Sequence, residues 1–152
     1  MPESGVLEIQ GDTVTYRGPA SSWSLGLRSI EAIGEVTNQS GPSGEDWFIC
    51  FVTNRGKVWN EAPVSAQGAD ALLQWLSAKL GEPLEWRLAN STDFRSRVMW
   101  PTLLRDQPLF EFVERAPQSL LQHLARRFRL WPLQNQQRIA PAITKALGGF
   151  AV

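Results

Sequence analysis

The stretch Val58–Gly81, VWNEAPVSAQGADALLQWLSAKLG, joins the end of an expected β-strand to an amphipathic helix. Its large apolar residues recur at the spacing of one helix face, at Leu72, Trp75, Leu76 and Leu80. Gly81 suits the left-handed position that ends a helix, and Pro83 blocks continuation of that helix. Because a helix with one apolar face needs a surface to cover, we expect the preceding strands to supply that surface.

Six short segments before this helix have the character of β-strands. The clearest pair is a hairpin in which Gly11-Asp12 separates Val6–Gln10 from Thr13–Arg17. The next segment alternates Trp23 and Leu25 with serine and glycine, which is the pattern of a strand with one buried face. The remaining strands are expected near Gly34–Asn38, Trp47–Thr53 and Lys57–Asn60. The run of six apolar residues that begins at Trp47 predicts a central, well-buried strand.

The order of these elements over residues 5–81 resembles the pleckstrin-homology-like superfamily. The resemblance is carried by the opening hairpin, by the passages WSLGLRSIEAIGEV and DWFICFVTNRGKVW, and by the helix GADALLQWLSAKLG. It implies an α+β fold, a small bent antiparallel β-barrel capped by the helix, and binding of a lipid head group or a peptide. Basic residues for a lipid head group are few in this region: Arg17, Arg28, Arg55 and Lys57. We therefore favour a protein or peptide partner.

Residues 82–152 have no counterpart in that pattern. We expect them to form a mixed, mainly helical C-terminal extension that packs on the first domain, so that the domains are 5–81 and 82–152. Strands are expected at Leu84–Leu88 and Leu109–Val113. Helices are expected at Gln118–Leu130 and around Ala140–Leu147.

The net charge is zero, but the charges are unevenly distributed. Residues 1–85 contain five basic and eleven acidic residues, whereas residues 86–152 contain ten basic and four acidic residues. Either the basic half pairs with the acidic half, or it faces an anionic partner. Arginines interleaved with aromatic residues are the candidate anion-binding or partner-binding residues: Arg95, Arg97, Arg126, Arg127 and Arg129. They predict, as the alternative function, binding of nucleic acid or another anionic surface.

The motifs of catalysis and of metal binding are missing from this sequence. The chain has one histidine, His123, and one cysteine, Cys50, so the usual Cys and His zinc motifs cannot form. Cys50 lies within the apolar run and is expected to be an inert core residue. We expect no catalytic residues and no cofactor; an enzyme that uses His123 is the weakest of the three hypotheses.

The composition fits a folded, cytoplasmic protein. Apolar residues make up 43% of the chain, which is enough for a core, and seven Trp and seven Phe supply large apolar surfaces. No apolar run approaches the roughly 18 residues that span a bilayer, and the N-terminus has no signal-peptide pattern. The leading hypothesis is a non-catalytic interaction or scaffold module for a protein or peptide partner. A second copy of this chain, paired through an exposed strand edge, is one such partner.

Overall fold

The computed structural model describes residues 4–37, 47–88, 95–114 and 135–148. They form three antiparallel sheets and two α-helices. The first sheet has its strands in chain order: β1 (Val6–Gln10), β2 (Thr13–Arg17) and β3 (Ser22–Gly26). The central sheet contains β4 (Ala32–Thr37), β5 (Trp47–Thr53), β6 (Val58–Pro63) and β7 (Arg95–Trp100). The third sheet pairs β8 (Phe110–Glu114) with β9 (Asn135–Ile139). The helices are α1 (Ala69–Leu80) and α2 (Pro141–Gly148).

The central sheet has the spatial order β6–β5–β4–β7 and is covered on both faces. Successive side chains of a strand point to opposite faces, and β5 follows this rule. Ile49 and Phe51 join the core formed with the first sheet and α1, whereas Cys50 and Val52 join the core formed with β8, β9 and α2. The predicted central strand is therefore confirmed, with both of its faces buried.

Helix α1 packs on the first sheet and on one face of the central sheet, as its sequence pattern predicts. Leu72 and Leu76 are buried, and Trp75 and Leu80 are partly buried against the same core. The helix ends at Gly81, which has a φ of 68°, the left-handed conformation that glycine adopts without strain.

The predicted barrel with a mainly helical extension is wrong. Within the described residues no strand pair joins the first sheet to the central sheet, so these strands do not close a barrel. The C-terminal half contributes β7, β8 and β9, and α2 is the one α-helix described there. Its strand β7 pairs directly with β4, so it completes the central sheet. The predicted helix Gln118–Leu130 lies outside the described residues.

Leu84–Leu88 is not a strand, although its residues alternate in polarity. Its backbone bonds to side chains of other elements: the Leu84 amide donates to Ser77 Oγ at 3.0 Å, and the Arg87 amide donates to Glu35 Oε1 at 2.8 Å. These bonds take the place of the backbone hydrogen bonds of the β-strand that the alternating polarity predicted. By contrast, β7 was overlooked because its two arginines suggested a charged surface segment.

Two glycines in strands have opposite surroundings and provide a matched stability test. A Cβ atom at Gly34 in β4 would lie 2.7 Å from the backbone oxygen of Arg97 and 2.5 Å from Leu109 Cδ2, whereas one at Gly26 would meet nothing within 4 Å. Gly26 also has a φ of −73°, which alanine adopts readily. We expect Gly34→Ala to lower the free energy of unfolding by about 1–3 kcal/mol, because the tightly packed strand must shift. Gly26→Ala should raise it by roughly 0.4–1 kcal/mol, because alanine restricts the unfolded chain. Urea denaturation of both variants tests the packing; equal effects would contradict it.

Candidate functional site

The structure places only part of the predicted arginine cluster. Arg95 is exposed at the start of β7, whereas Arg97 is 8% exposed and lies inside the protein. Arg126, Arg127 and Arg129 lie outside the described residues, as does His123. Anion binding through these arginines stays a prediction, and the described part of the chain does not bring Arg95 and Arg97 to one shared surface.

Arg97 binds a carboxylate that is completely buried. Its Nε donates to Glu35 Oε1 at 2.7 Å, its Nη1 donates to Asp106 Oδ1 at 3.2 Å, and its Nη2 donates to the backbone oxygen of Glu85. Glu35 also accepts hydrogen bonds from the amide of Arg87 and from Trp47 Nε1, at 2.8 and 2.9 Å. The ion pair thereby fixes two donors, Trp47 Nε1 and the Arg87 amide, and two acceptors, the Asp106 carboxylate and the Glu85 carbonyl.

This network connects the acidic and basic halves of the chain. Three described ion pairs join them: Arg97–Glu35, Arg87–Glu85 and Arg105–Glu82. Arg87 also binds Asp106 at 3.2 Å, and Trp47 and Trp86 pack edge to face with ring centroids 5.5 Å apart. Part of the charge asymmetry is therefore used inside the fold, where it holds residues 82–88 against the central sheet.

The buried ion pair should contribute far more to stability than a surface pair. Removing Arg97 leaves Glu35 charged and buried without its cation, so we expect Arg97→Met to lower the free energy of unfolding by about 3–5 kcal/mol. The matched control is Arg17→Met, because Arg17 pairs with Glu8 on the surface at 3.9 Å; this change should matter by less than about 1 kcal/mol.

Guanidinium chloride denaturation compares the two variants. Similar losses in both would contradict the role assigned to Glu35. The double change Glu35→Leu with Arg97→Met should recover much of the loss, because it removes the unpaired charge together with its partner.

Within the described residues, the edge of β3 that faces away from β2 forms no backbone–backbone hydrogen bonds. The register pairs Val14 with Leu25 and Tyr16 with Trp23, and the flanking bonds Leu27 N–H to Asp12 O and Gly18 N–H to Ser21 O fix which pairs are hydrogen-bonded. The amides and carbonyls of the odd-numbered β3 residues therefore point to β2. Those of Ser22, Ser24 and Gly26 point away from it.

Nothing in the described residues covers this row except at one atom. Ser22, Ser24 and Gly26 are all exposed, and the space beside the Cα of Gly26 is open. The carbonyl of Gly26 accepts a hydrogen bond from Ser29 Oγ at 2.7 Å. Among the described residues, nothing bonds to the outward amides and carbonyls of Ser22 and Ser24, which are therefore open to another strand.

Described contacts cover part of each of the other outer strands of the first and central sheets. On β1, the Leu7 amide donates to Gln67 O at 2.8 Å; on β7, the Val98 amide donates to Gln107 O at 2.9 Å. On β6, Pro63 offers no N–H, and Glu61 O accepts a hydrogen bond from Trp23 Nε1 at 3.0 Å. Within the described residues, the outward amides and carbonyls of Ser22 and Ser24 on β3 have no such contact.

A cleft of about 270 Å³ opens beside the start of β3. We name it the Glu61 cleft; its walls include Tyr16, Pro19, Ser21, Phe48, Pro63 and Glu61. Phe48 and Pro63 are opposite residues of β5 and β6, and the walls are mostly apolar. Glu61 carries the one carboxyl group among the described residues that line the cleft.

Cys50 lies behind Glu61 and is fully buried. Its thiol donates a weak hydrogen bond to Glu61 Oε2, with 3.9 Å between sulfur and oxygen. Burial raises the pKa of Cys50 well above its ordinary value, and the charge of Glu61 and their hydrogen bond raise it further. The thiol is therefore neutral and unreactive, as predicted for a core cysteine. Burial also raises the pKa of Glu61, and the bond from Cys50 partly opposes this rise.

Sequence reasoning identified the β3 pattern but did not single out its edge or Glu61. An edge depends on which strands fail to pair, and this is not encoded locally. Glu61 did carry a signal, because it is an acidic residue inside a strand that pairs with the buried strand β5.

In the described part of the chain, no three side chains of His, Cys, Asp or Glu are grouped to hold a metal ion. The same residues include no helix long and apolar enough to cross a membrane. No protein-family model, curated protein or solved structure matches this chain. The pleckstrin-homology-like resemblance is therefore neither supported nor contradicted by these comparisons.

The raised pKa of Glu61 makes stability depend on pH in a defined direction. Below the ordinary pKa of glutamic acid, about 4.3, the carboxyl is protonated in both folded and unfolded chains. As the pH rises, the unfolded chain loses this proton first, so the contribution of protonated Glu61 to stability is lost until the pH passes the folded pKa. Glu61→Gln does not titrate. We expect the unfolding free energy of the wild type, relative to this variant, to fall with rising pH and then level off.

Denaturation at a series of pH values measures this difference. The burial assigned to Glu61 would be contradicted if the unfolding free energy of the wild type relative to Glu61→Gln stayed constant with pH, or if it rose as the pH rises. Titration of the Glu61 carboxyl carbon by NMR provides an independent reading of the same group.

Proposed function

We propose that this protein is a non-catalytic interaction module that binds an extended segment of a protein or peptide partner by strand addition to β3. The observation that carries the proposal is the row of backbone groups at Ser22 and Ser24 that pair with none of the described residues. An added strand would form with them the same hydrogen bonds that β2 forms with Trp23 and Leu25. The backbone would supply affinity, and side chains on alternate residues would supply selectivity.

The chemistry of the edge supports strand addition. Natural edge strands are commonly protected by lysine, proline, bulges or covering loops. The strand β3, SWSLG, has neither lysine nor proline, and its register with β2 is continuous. Its outward side chains are small, and Ser24 Oγ lies 2.9 Å from Thr15 Oγ1, so no bulky or charged side chain on the outward positions of β3 blocks an approaching backbone.

The core behind β3 gives the edge a firm position. Trp23 packs edge to face on Phe51 with 5.5 Å between ring centroids, and its Nε1 donates to Glu61 O at 3.0 Å. Leu25 packs on the same core. Since these contacts order β3 before a partner arrives, binding loses little entropy on the protein's side. A second copy of this chain is one protein that can supply the added strand.

Proline at Ser24 tests the edge with little disturbance of the fold. The Ser24 amide points away from β2, so Ser24→Pro removes an outward donor and leaves the β2–β3 ladder bonds in place. Random ten-residue peptides are selected by display on the wild-type chain and then titrated individually. We expect binding to weaken by about tenfold or more in Ser24→Pro, because the lost bond and the ring block the added strand.

Ser24→Ala is the matched control, since it also loses the Thr15 contact but keeps the backbone amide. It should bind within about twofold of the wild type, a difference far below one hydrogen bond. N-methylation of every second amide of a bound peptide should abolish binding when the methylated amides are those that face β3. Methylation of the other set of amides should leave binding intact. Hydrogen exchange at Ser22 and Ser24 should slow on binding. The proposal fails if no peptide is enriched, or if enriched peptides bind the proline variant equally well. Dimerisation that Ser24→Pro abolishes would identify a second copy as the partner.

A further inference from the structure

Within the described residues, the partly buried carboxylate of Glu61 lacks a cation. None of the ion pairs of the described residues includes it, and its side-chain partner there is the neutral thiol of Cys50. The contrast with Glu35 is informative: that carboxylate is buried with a guanidinium, an indole N–H and an amide around it. A partly buried acid without such partners is poorly stabilised in its charged form, and a cation in the cleft would correct this.

The walls of the cleft fit the methylene stem that precedes such a cation. Phe48 and Tyr16 present aromatic rings, and Pro19 and Pro63 add apolar surface. Amphipathic cations place their carbon chain along apolar groups, and aromatic faces attract the charged end. The volume of about 270 Å³ is at the lower limit of small-molecule sites, which suits one side chain and not a cofactor.

The cleft is adjacent to the edge where the partner strand would lie. Ser21 lines the cleft, and Ser22 is the first residue of β3. The bond from Trp23 Nε1 to Glu61 O, at 3.0 Å, ties β3 to the strand that carries Glu61. An added strand would lie about 4.8 Å from β3. A long side chain near the end of that strand would therefore be close enough to enter the cleft.

We propose that the Glu61 cleft receives the ammonium group of a lysine side chain carried by the strand that pairs with β3. This inference rests on the proposed strand addition. Lysine is preferred to arginine because the cleft offers one free carboxylate, while Glu61 O is already occupied by Trp23 and the Tyr16 hydroxyl donates to Ser4 O. A guanidinium has five N–H donors to satisfy, and an ammonium has three.

Small cations test the cleft without any peptide. The probes are n-butylammonium, the neutral isostere butan-1-ol and n-butylguanidinium, each titrated at constant ionic strength while the NMR shifts of the Ser21, Phe48 and Glu61 amides are followed. We expect butylammonium to bind the wild type about tenfold more tightly than butanol, because a charged hydrogen bond is worth about that factor. Glu61→Gln should reduce this preference to within about twofold. Glu8→Gln, an acid on the outer face of the first sheet, should leave it unchanged.

Peptides connect this result to β3. In peptides that bind the wild type, replacing the critical lysine with norleucine should weaken binding about tenfold, and it should have little further effect in Glu61→Gln. The cleft inference is overturned if butanol binds as well as butylammonium, if the preference survives in Glu61→Gln, or if butylguanidinium binds more tightly.

The two proposals fail in different ways. Ser24→Pro should lose peptide binding and keep butylammonium binding, because it changes the edge and not the cleft. If peptides bind in a manner sensitive to Ser24→Pro while the lysine replacement has no effect, strand addition stands and the cleft inference falls. If peptides ignore Ser24→Pro, the proposed function falls, and with it the assignment of the lysine to an added strand.

Discussion

The buried ion pair between Glu35 and Arg97 is the constraint on which the central sheet depends. A carboxylate on an otherwise apolar strand must have its cation and its hydrogen-bond donors in place, since the unpaired charge would be strongly destabilising. Meeting that requirement brings β7 to β4, draws the Arg87 backbone across the sheet and orients Trp47. The irregular segment 82–88 is therefore held by polar bonds, and α1, which precedes it, is fixed at both of its ends.

Local patterns predicted the elements well and their assembly poorly. The helix α1, the β1–β2 hairpin and the buried strand β5 follow from apolar spacing, turn residues and a continuous apolar run, all of which are local signals. The role of β7 depends on a partner 62 positions away, so Arg97 appeared as a member of a surface cluster. The PH-like barrel was predicted from the order of elements, and that order does not determine which sheet edges meet. For the candidate site, the alternation of β3 was visible, whereas its open edge could be recognised only once the other edges were known to be covered.

The strand edges differ in how well they are covered, and the buried acids differ in how well they are paired. The least covered edge and the least paired acid lie close together. Loops, a proline and an indole N–H cover parts of the edges of β1, β6 and β7, but small polar residues line β3. Glu35 is surrounded by donors, but Glu61 faces a thiol and an apolar cleft. Both incompletely satisfied features lie around the start of β3. The other edges and Glu35 show that the fold can provide partners for backbone groups and for a buried carboxylate. Because the β3 edge and Glu61 lack such partners among the described residues and lie together, we assign the binding role to this part of the protein.

The long separation between Glu35 and Arg97 also has a consequence for synthesis. A ribosome releases Glu35 well before Arg97, so the nascent chain carries an acid in its future core while the cation is still to be made. The hairpins of the first sheet need only neighbouring residues and can form early, whereas β4 keeps one side unpaired until β7 emerges. During translation the chain thus exposes an edge of β4, which is temporary and closes when the basic half arrives. In the folded chain, the described residues leave the outer edge of β3 uncovered.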